Sequence, residues 1–524
     1  MSKVKDLQNA QSDLKDLGWF DNDSDLLDIV HHALGVGGPA GSPASVRERA
    51  KAYADAAAGL QKASDDLNKV AGDQLPQAWK GAVAENAGQA ISALASEFAL
   101  SQQTLTKAAA ALNTWADDLE RGQREDPPGC DQLHAAEKGA NKDDSWFDVS
   151  QTPRDAADNG IATRLRVAQY VEAGGTETAS TLNQLASQAR AERMGGGSSD
   201  PLSAVVLANA QTDAGKGSGT SYILTDNQLT RANQVLAGMS PSDQARFKTL
   251  LANAKSPEEA AFLRKALAAG HSMDEVEQFD GLIHPHGDDP AWLAQHLVPA
   301  TDSDSTDGRH IAAYDGQNSH PAKGGKGYYN FYSQGGTGDC VAASTVIAQA
   351  RLDPTLMLNL TTGNTPDVPG ADSPDNFQHR LEDYYVGQYI QGQTADGQKQ
   401  TYPKKDNGIG PKGENALANQ DISTATGVPY EHVGLSSADD RRNALSRIDN
   451  ALDQGLPVPI NVNRKGSKEG HQMVIIGRDG DRLEVYNPWG FTEWVTADQF
   501  VNSQLGNLTD KDNLDTAVGL ELPK

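Results

Sequence analysis

The sequence predicts a multidomain protein, all-α through its N-terminal and middle regions and α+β over residues 310–524. Three observations carry this. Between residues 45 and 121, small and apolar residues recur in alternating steps of four and three, the seam of paired helices. Ser240, Ser256 and Ser272 each stand three residues before an acid, as helix N-caps do. Beyond Leu456, short apolar runs bounded by turn residues replace the helical period and mark strands.

Taken in order, residues 1–44 form an acidic, partly helical segment with Trp19-Phe20 as a docking anchor, broken by Gly35–Gly41. Residues 45–125 form a helical hairpin. Ser45-Val-Arg-Glu48 reads as a capping box, and positions 46, 50, 53, 57, 60, 64, 67 and 71 make one Ala-rich face. Gly72–Pro76 interrupts the first helix, and Trp79-Lys80-Gly81 turns the chain. A second helix runs to Arg121, with Ile91, Phe98, Leu105, Leu112 and Leu119 seven apart and Leu94 and Trp115 in the companion row. Residues 126–224 are a helical region with linkers: Asp126–Cys130 is turn-rich around Pro127-Pro128, Gly174-Gly175 interrupts a helix over 156–194, and 195–199 and 215–219 are flexible. Residues 225–300 are a small helical block, read as a spacer or as a chaperone-like support for the domain that follows. His284 and His286, with Asp288 and Asp289, sit in a Pro- and Gly-bearing loop whose spacing is poor for zinc, so no metal site and no cofactor are expected.

The composition narrows the function. Across 524 residues, 45 basic side chains face 71 acidic ones, a formal charge of −26, which argues against nucleic acid as the main partner. Hydrophobic content of 37% is low for one deep core and suits thin helical hairpins and linkers. No apolar stretch reaches transmembrane length, and the N-terminus lacks the apolar core of a secretory signal. The chain is then either cytoplasmic or exported by a route that reads something else. The two cysteines, Cys130 and Cys340, are not expected to pair, since a disulfide would consume the candidate nucleophile.

That nucleophile is Cys340, in Gln334-Gly-Gly-Thr-Gly-Asp-Cys340. A cysteine nucleophile needs a base, and the base needs an orienting group. His471, in Gly470-His471, and Asn487, in Asn487-Pro-Trp-Gly490, can fill those roles. Gln334 and the Cys340 N–H are the candidate oxyanion donors. Residues 341–350 read as a helix, which puts the sulfur at a helix N-terminus where the dipole and His471 favour thiolate. Tyr328–Tyr332 reads as a strand seating Gln334, or as an aromatic wall for substrate. Strands are expected at 456–463, 470–477 and 482–487, the last two joined at Asp479-Gly480, with His471 starting one and Asn487 ending its partner. His379 and His432 are rival bases read as surface residues.

These motifs resemble those of papain-like cysteine peptidases, and most closely the calpain-type branch. That family carries Gln-Gly-x-x-Gly-Asp-Cys, then Gly-His, then Asn-Pro-Trp-Gly and a further Trp, here Trp494. Val341 departs from the usual Trp after the cysteine. The resemblance implies a Cys340–His471–Asn487 triad, with Asp339 supporting it and Trp489 shielding the His–Asn contact. It implies a protein or peptide substrate and no cofactor. A deamidase or transglutaminase would use the same residues on Gln side chains, and a non-enzymatic binding module would leave Cys340 an ordinary thiol. The hairpin resembles the WXG-type domains of type VII secretion substrates, although their Tyr-x-x-x-Asp/Glu signal is not evident. That resemblance implies an exported bacterial effector or toxin, with a WXG-type heterodimer partner, secretion machinery and an immunity protein as partners. A plain oligomerising hairpin is the alternative.

Overall fold

The computed structural model describes residues 2–17, 23–140, 151–193, 201–211, 222–299, 302–303, 339–398, 408–464, 470–489, 491–506, 508 and 514–524. The chain forms two compact units, Met1–Ala189 and Arg190–Lys524. The first is all-α among its described residues. The second joins helices to an antiparallel sheet of six strands, with a two-residue strand added in parallel at one edge. Among the described residues no helix is long and apolar enough to cross a membrane.

In the first unit, α1 (Lys3–Asp16) and α2 (Asp23–Gly35) are followed by α3 (Pro43–Lys69), α4 (Leu75–Ala78), α5 (Ala82–Ala140) and α6 (Gln151–Arg193), whose last turn passes into the second unit. Helix α3 starts at Pro43, earlier than the expected box at Ser45, because Ser42 accepts the Ser45 N–H and Pro43 takes the first helical position. Helices α3 and α5 form the expected hairpin. Its tightest seam is made of Ala50, Ala57 and Ser64 against Ala95, Ala109 and Ala116, and Ser64 Oγ donates to Ala95 C=O at 2.7 Å. Of the expected leucine row, Ile91, Phe98, Leu105 and Leu112 are half-buried and Leu119 is buried, while Leu94 of the companion row is exposed. The Gly72–Pro76 interruption is a π-turn at Val70–Gln74 continuing into α4, so the chain reverses only at Trp79–Gly81.

Pro127-Pro128 does not end α5, which runs on for 59 residues in all. Proline in a helix interior is costly, and tertiary contacts offset it here. Buried Arg164 donates to both oxygens of Asp126 (3.0 and 3.2 Å) and to the carbonyls of Ala33 and Val36 (both 2.6 Å). A Cβ on Gly129 would stand 3.0 Å from the Gly160 carbonyl and 2.6 Å from Arg164 Cγ, so α5 and α6 touch almost backbone to backbone. Gly174 and Gly175 likewise lie inside α6, against Asp118 and Trp115. Leu7, Leu14, Leu26 and Val30 of α1 and α2 share a core with Leu133, Ile161 and Leu165, so α1 and α2 pack onto α5 and α6. Trp19 and Phe20 lie outside the described residues.

In the second unit, α7 (Pro201–Ala208), α8 (Asp226–Gly238), α9 (Pro241–Asn253), α10 (Pro257–Ala268), α11 (Met273–Ile283) and α12 (Pro290–Leu297) lead to α13 (Cys340–Leu352), α14 (Pro354–Thr362), α15 (Pro374–Ala395), α16 (Pro411–Leu417), α17 (Ser423–Thr426), α18 (Ala438–Asp453) and α19 (Ala497–Val501). Ser240, Ser256 and Ser272 cap α9, α10 and α11 as their spacing predicts. The block over 225–300 is no separate spacer. Leu358 of α14 lies in one core with Phe247, Phe262 and Phe279, and Gln228 Nε2 donates to Leu352 C=O at 2.9 Å. The sequence placed its boundary at 300 because the capped helices end there, but their apolar faces are completed by α14.

The strands are β1 (Asp302–Ser303), β2 (Tyr430–Gly434), β3 (Val458–Asn463), β4 (Gly470–Asp479), β5 (Arg482–Asn487), β6 (Phe491–Thr496) and β7 (Thr516–Pro523), in the order β1-β6-β5-β4-β3-β7-β2. The β4–β5 hairpin turns after Asp479, paired with Arg482, and Gly480 takes φ +62° as a tight turn requires. One sheet face carries Ile460, Met473, Ile475, Leu520 and Leu522 against Ala444 and Ile448 of α18. The other carries Val474 and Tyr486 against Val346 and Ile347 of α13, the helix that begins with Cys340.

Candidate active site

Helix α13 starts at Cys340, with Asp339 as its N-cap residue and 2% exposed. The first intrahelical bond joins Ala343 N–H to Asp339 C=O at 3.0 Å, so the Cys340 N–H lies in the turn that presents donors at a helix end. Two contacts set this helix on strand β4. The Gln472 N–H donates to Cys340 Sγ at 3.4 Å, and Ser344 Oγ, one turn on, donates to Gln472 C=O at 2.9 Å. Gln472 lies beyond the last β4–β5 pair, Val474 with Tyr486, where the sheet hands its backbone groups to the helix. The sulfur therefore rests on the peptide that joins Gln472 to His471.

His471 and Asn487 lie where the strand reading put them, at the start of β4 and the end of β5. His471 Nε2 is 2.9 Å from Asn487 Oδ1, and both residues are buried. The neighbours of Asn487 assign its amide. Nδ2 donates to Leu508 C=O at 2.6 Å, and Oδ1 accepts the Trp489 N–H at 3.0 Å. With Oδ1 an acceptor, the neutral imidazole carries its proton on Nε2, and Nδ1 is the basic nitrogen. Trp489 stacks on His471 with ring centroids 4.7 Å apart and planes at 27°.

The thiol departs from expectation. Burial pushes Cys340 up to about 11, and the charges of Asp339 and Glu414 add to that; the Gln472 and Val341 N–H groups oppose it without prevailing. The helix N-terminus does favour thiolate through the Val341 N–H, but desolvation and two nearby carboxylates outweigh it. These influences together favour the protonated thiol over the thiolate.

Cys130 sits inside α5, half-buried, with its thiol pushed up chiefly by burial and 3.8 Å from Asp126 Oδ2. His379 is exposed on α15, and His432 on β2 pairs with Glu521 at 2.7 Å. His284 Nδ1 bonds Glu259 Oε1 at 2.7 Å, and His286 stacks on Trp292. Gln334, Gly490 and Tyr328–Tyr332 lie outside the described residues. Sequence reasoning missed Gln472, Leu508 and Glu414. The first two act through backbone atoms, which leave no side-chain signature, and Glu414 reaches the site only through the placement of α16. The structure thus brings His471, Asn487 and Trp489 into direct contact and sets Cys340 on the residue after His471. No family model, no characterised protein and no solved structure matches this chain.

Proposed function

We propose that the second unit is a papain/calpain-like cysteine peptidase working through Cys340, His471 and Asn487. The observation that carries this reading is the Asn487 amide, fixed so that the neutral His471 ring keeps Nδ1 as its base, on the residue just before the Gln472 N–H that meets Cys340 Sγ. The Cys340 thiol passes its proton to His471 Nδ1 as Sγ attacks the scissile carbonyl carbon. The C–N bond breaks, and the leaving amine takes that proton. Water, deprotonated by His471, then cleaves the thioester and restores the thiol. Asn487 holds the ring and Trp489 keeps water from the His–Asn contact. The Cys340 N–H and, by its motif, Gln334 receive the developing oxyanion. The raised thiol fits proton transfer within the catalytic step rather than before it.

The first unit fits a type VII-like export module, which makes the whole chain an exported effector or toxin. The α3–α5 hairpin and its turn support this. Trp79 is 48% exposed and anchors no core, and a Cβ on Gly81 would meet nothing within 4 Å. Gly81 is required by its φ of +111°, and Trp79 is an exposed apolar handle.

The test of the peptidase reading is mass spectrometry of a proteome treated with wild-type or Cys340→Ala protein. Cys340-dependent new peptide termini support it. A one-dalton gain on Gln side chains with intact backbones would move the site to deamidation, and identical spectra would leave no enzyme.

A further inference from the structure

The polar layer between α16 and the sheet has no place in this mechanism. We infer that Glu414, His432 and Glu521 form a binding site for a divalent first-row transition metal ion of the zinc class. The inference does not rest on the peptidase reading.

The three side chains come from three elements: Glu414 from α16, His432 from β2 and Glu521 from β7. One ligand atom of each lies within 4.8 Å of the others, close enough to share one ion after small side-chain rotations. His432 and Glu521 are directly paired across the strands, with Nδ1 2.7 Å from Oε1. The outer groups are arranged as metal sites arrange theirs. Asn461 Nδ2 holds Glu414 Oε2 at 2.6 Å, and Asn415 Nδ2 holds Glu521 Oε2 at 2.6 Å, so each carboxylate is oriented through one oxygen. Gly519 forms the floor. A Cβ there would stand 3.0 Å from His432 Cε1 and 3.5 Å from Asn461 Nδ2.

Two further observations point to a missing cation. Glu414 and Glu521 are only 7% and 1% exposed, and the charges acting on Glu414 come from Glu521, Asp396 and His432, two acids against one imidazole. Next along the row, Gln472 pairs with Asn461 across the sheet, and among the described residues its buried Oε1 has no hydrogen-bond partner. A metal-bound water is the kind of donor it lacks. The His432 side chain, 31% exposed, leaves a route from solvent. One imidazole with two carboxylates favours zinc-class ions over calcium or magnesium, which take oxygen sets.

The test is calorimetric titration of Zn2+ into the full chain carrying Cys340→Ala, so that the catalytic thiol cannot hold the ion. Glu521→Gln and His432→Ala should each remove one bound Zn2+ per chain, while His284→Ala keeps it. Asn461→Ala should weaken binding about 10–100-fold, the usual effect of losing an outer-shell partner. Circular dichroism shows whether each variant is folded. Should either ligand variant unfold, the visible spectrum of Co2+ on the parent chain decides instead. Intense bands of a four- or five-coordinate nitrogen–oxygen site support the inference, and the weak spectrum of hexa-aqua Co2+ overturns it. Zn2+ stoichiometry unchanged in folded His432→Ala and Glu521→Gln chains, or no binding to the parent, also overturns it.

Discussion

The Cys340 sulfur lies under protein and beside two carboxylates, and this decides its protonation more than the helix end does. A thiol raised to about 11 ionises late, so its thiolate fraction should climb about tenfold per pH unit to that point. Alkylation by iodoacetamide, followed by mass spectrometry, should therefore keep rising above pH 9; a plateau at pH 6–7 would mean that His471 already holds the proton. His471→Ala should lower turnover by about 10²–10⁴, the usual contribution of a positioned acid–base group. Asn487→Ala should cost less, because Asn487 selects the tautomer and direction of the ring but carries no proton. Steady-state rates on a cleaved peptide check both. The side chains of this site were legible in the sequence, since Cys, His and Asn announce their chemistry and strand alternation placed His471 and Asn487 at adjoining strand ends. The thiol's protonation was not, because it depends on Asp339 burial and on Glu414, which α16 brings from 74 positions along the chain (414 − 340).

Elements whose cause is local were read correctly: the caps at Ser240, Ser256 and Ser272, the β4–β5 turn and the Ala50, Ala57 and Ser64 positions of the hairpin all follow from spacing a few residues long. Helix α5 was not, because Pro127-Pro128 is a local stop signal overruled by distant partners, Arg164 and Gly160 among them. The glycines read as breaks at 174 and 175 serve close helix contact instead, a use that a single sequence cannot separate from flexibility. Gly129→Leu should drive α5 and α6 apart at the Asp126–Arg164 pair and destabilise the first unit by about 1–3 kcal/mol, the usual cost of overpacking. Calorimetry should show a lowered melting transition for that unit, with Cys340 alkylation in the second unit unchanged. Equal loss from both units would show that they do not unfold independently.

At the scale of the molecule, the two compact units divide the work proposed for the chain. The division at 189/190 was invisible in the sequence because it falls inside α6, where the helical period gives no sign of a boundary. A chain of residues 190–524 should fold and keep Cys340-dependent turnover. A chain of 300–524 should not, since it exposes Leu358 and the helix faces completed by Phe247, Phe262 and Phe279. Circular dichroism and activity of the two truncated chains check this. The central claim is that Cys340 is a nucleophile served by His471. Its most direct measurement is the labelling rate of the full chain by a peptidyl thiol-reactive electrophile, read by intact mass and mapped to the modified residue. One adduct per chain is expected, on Cys340 and not on Cys130, formed at least about 10²-fold more slowly in His471→Ala. Labelling that falls equally on Cys130, or that His471→Ala leaves unchanged, would contradict it.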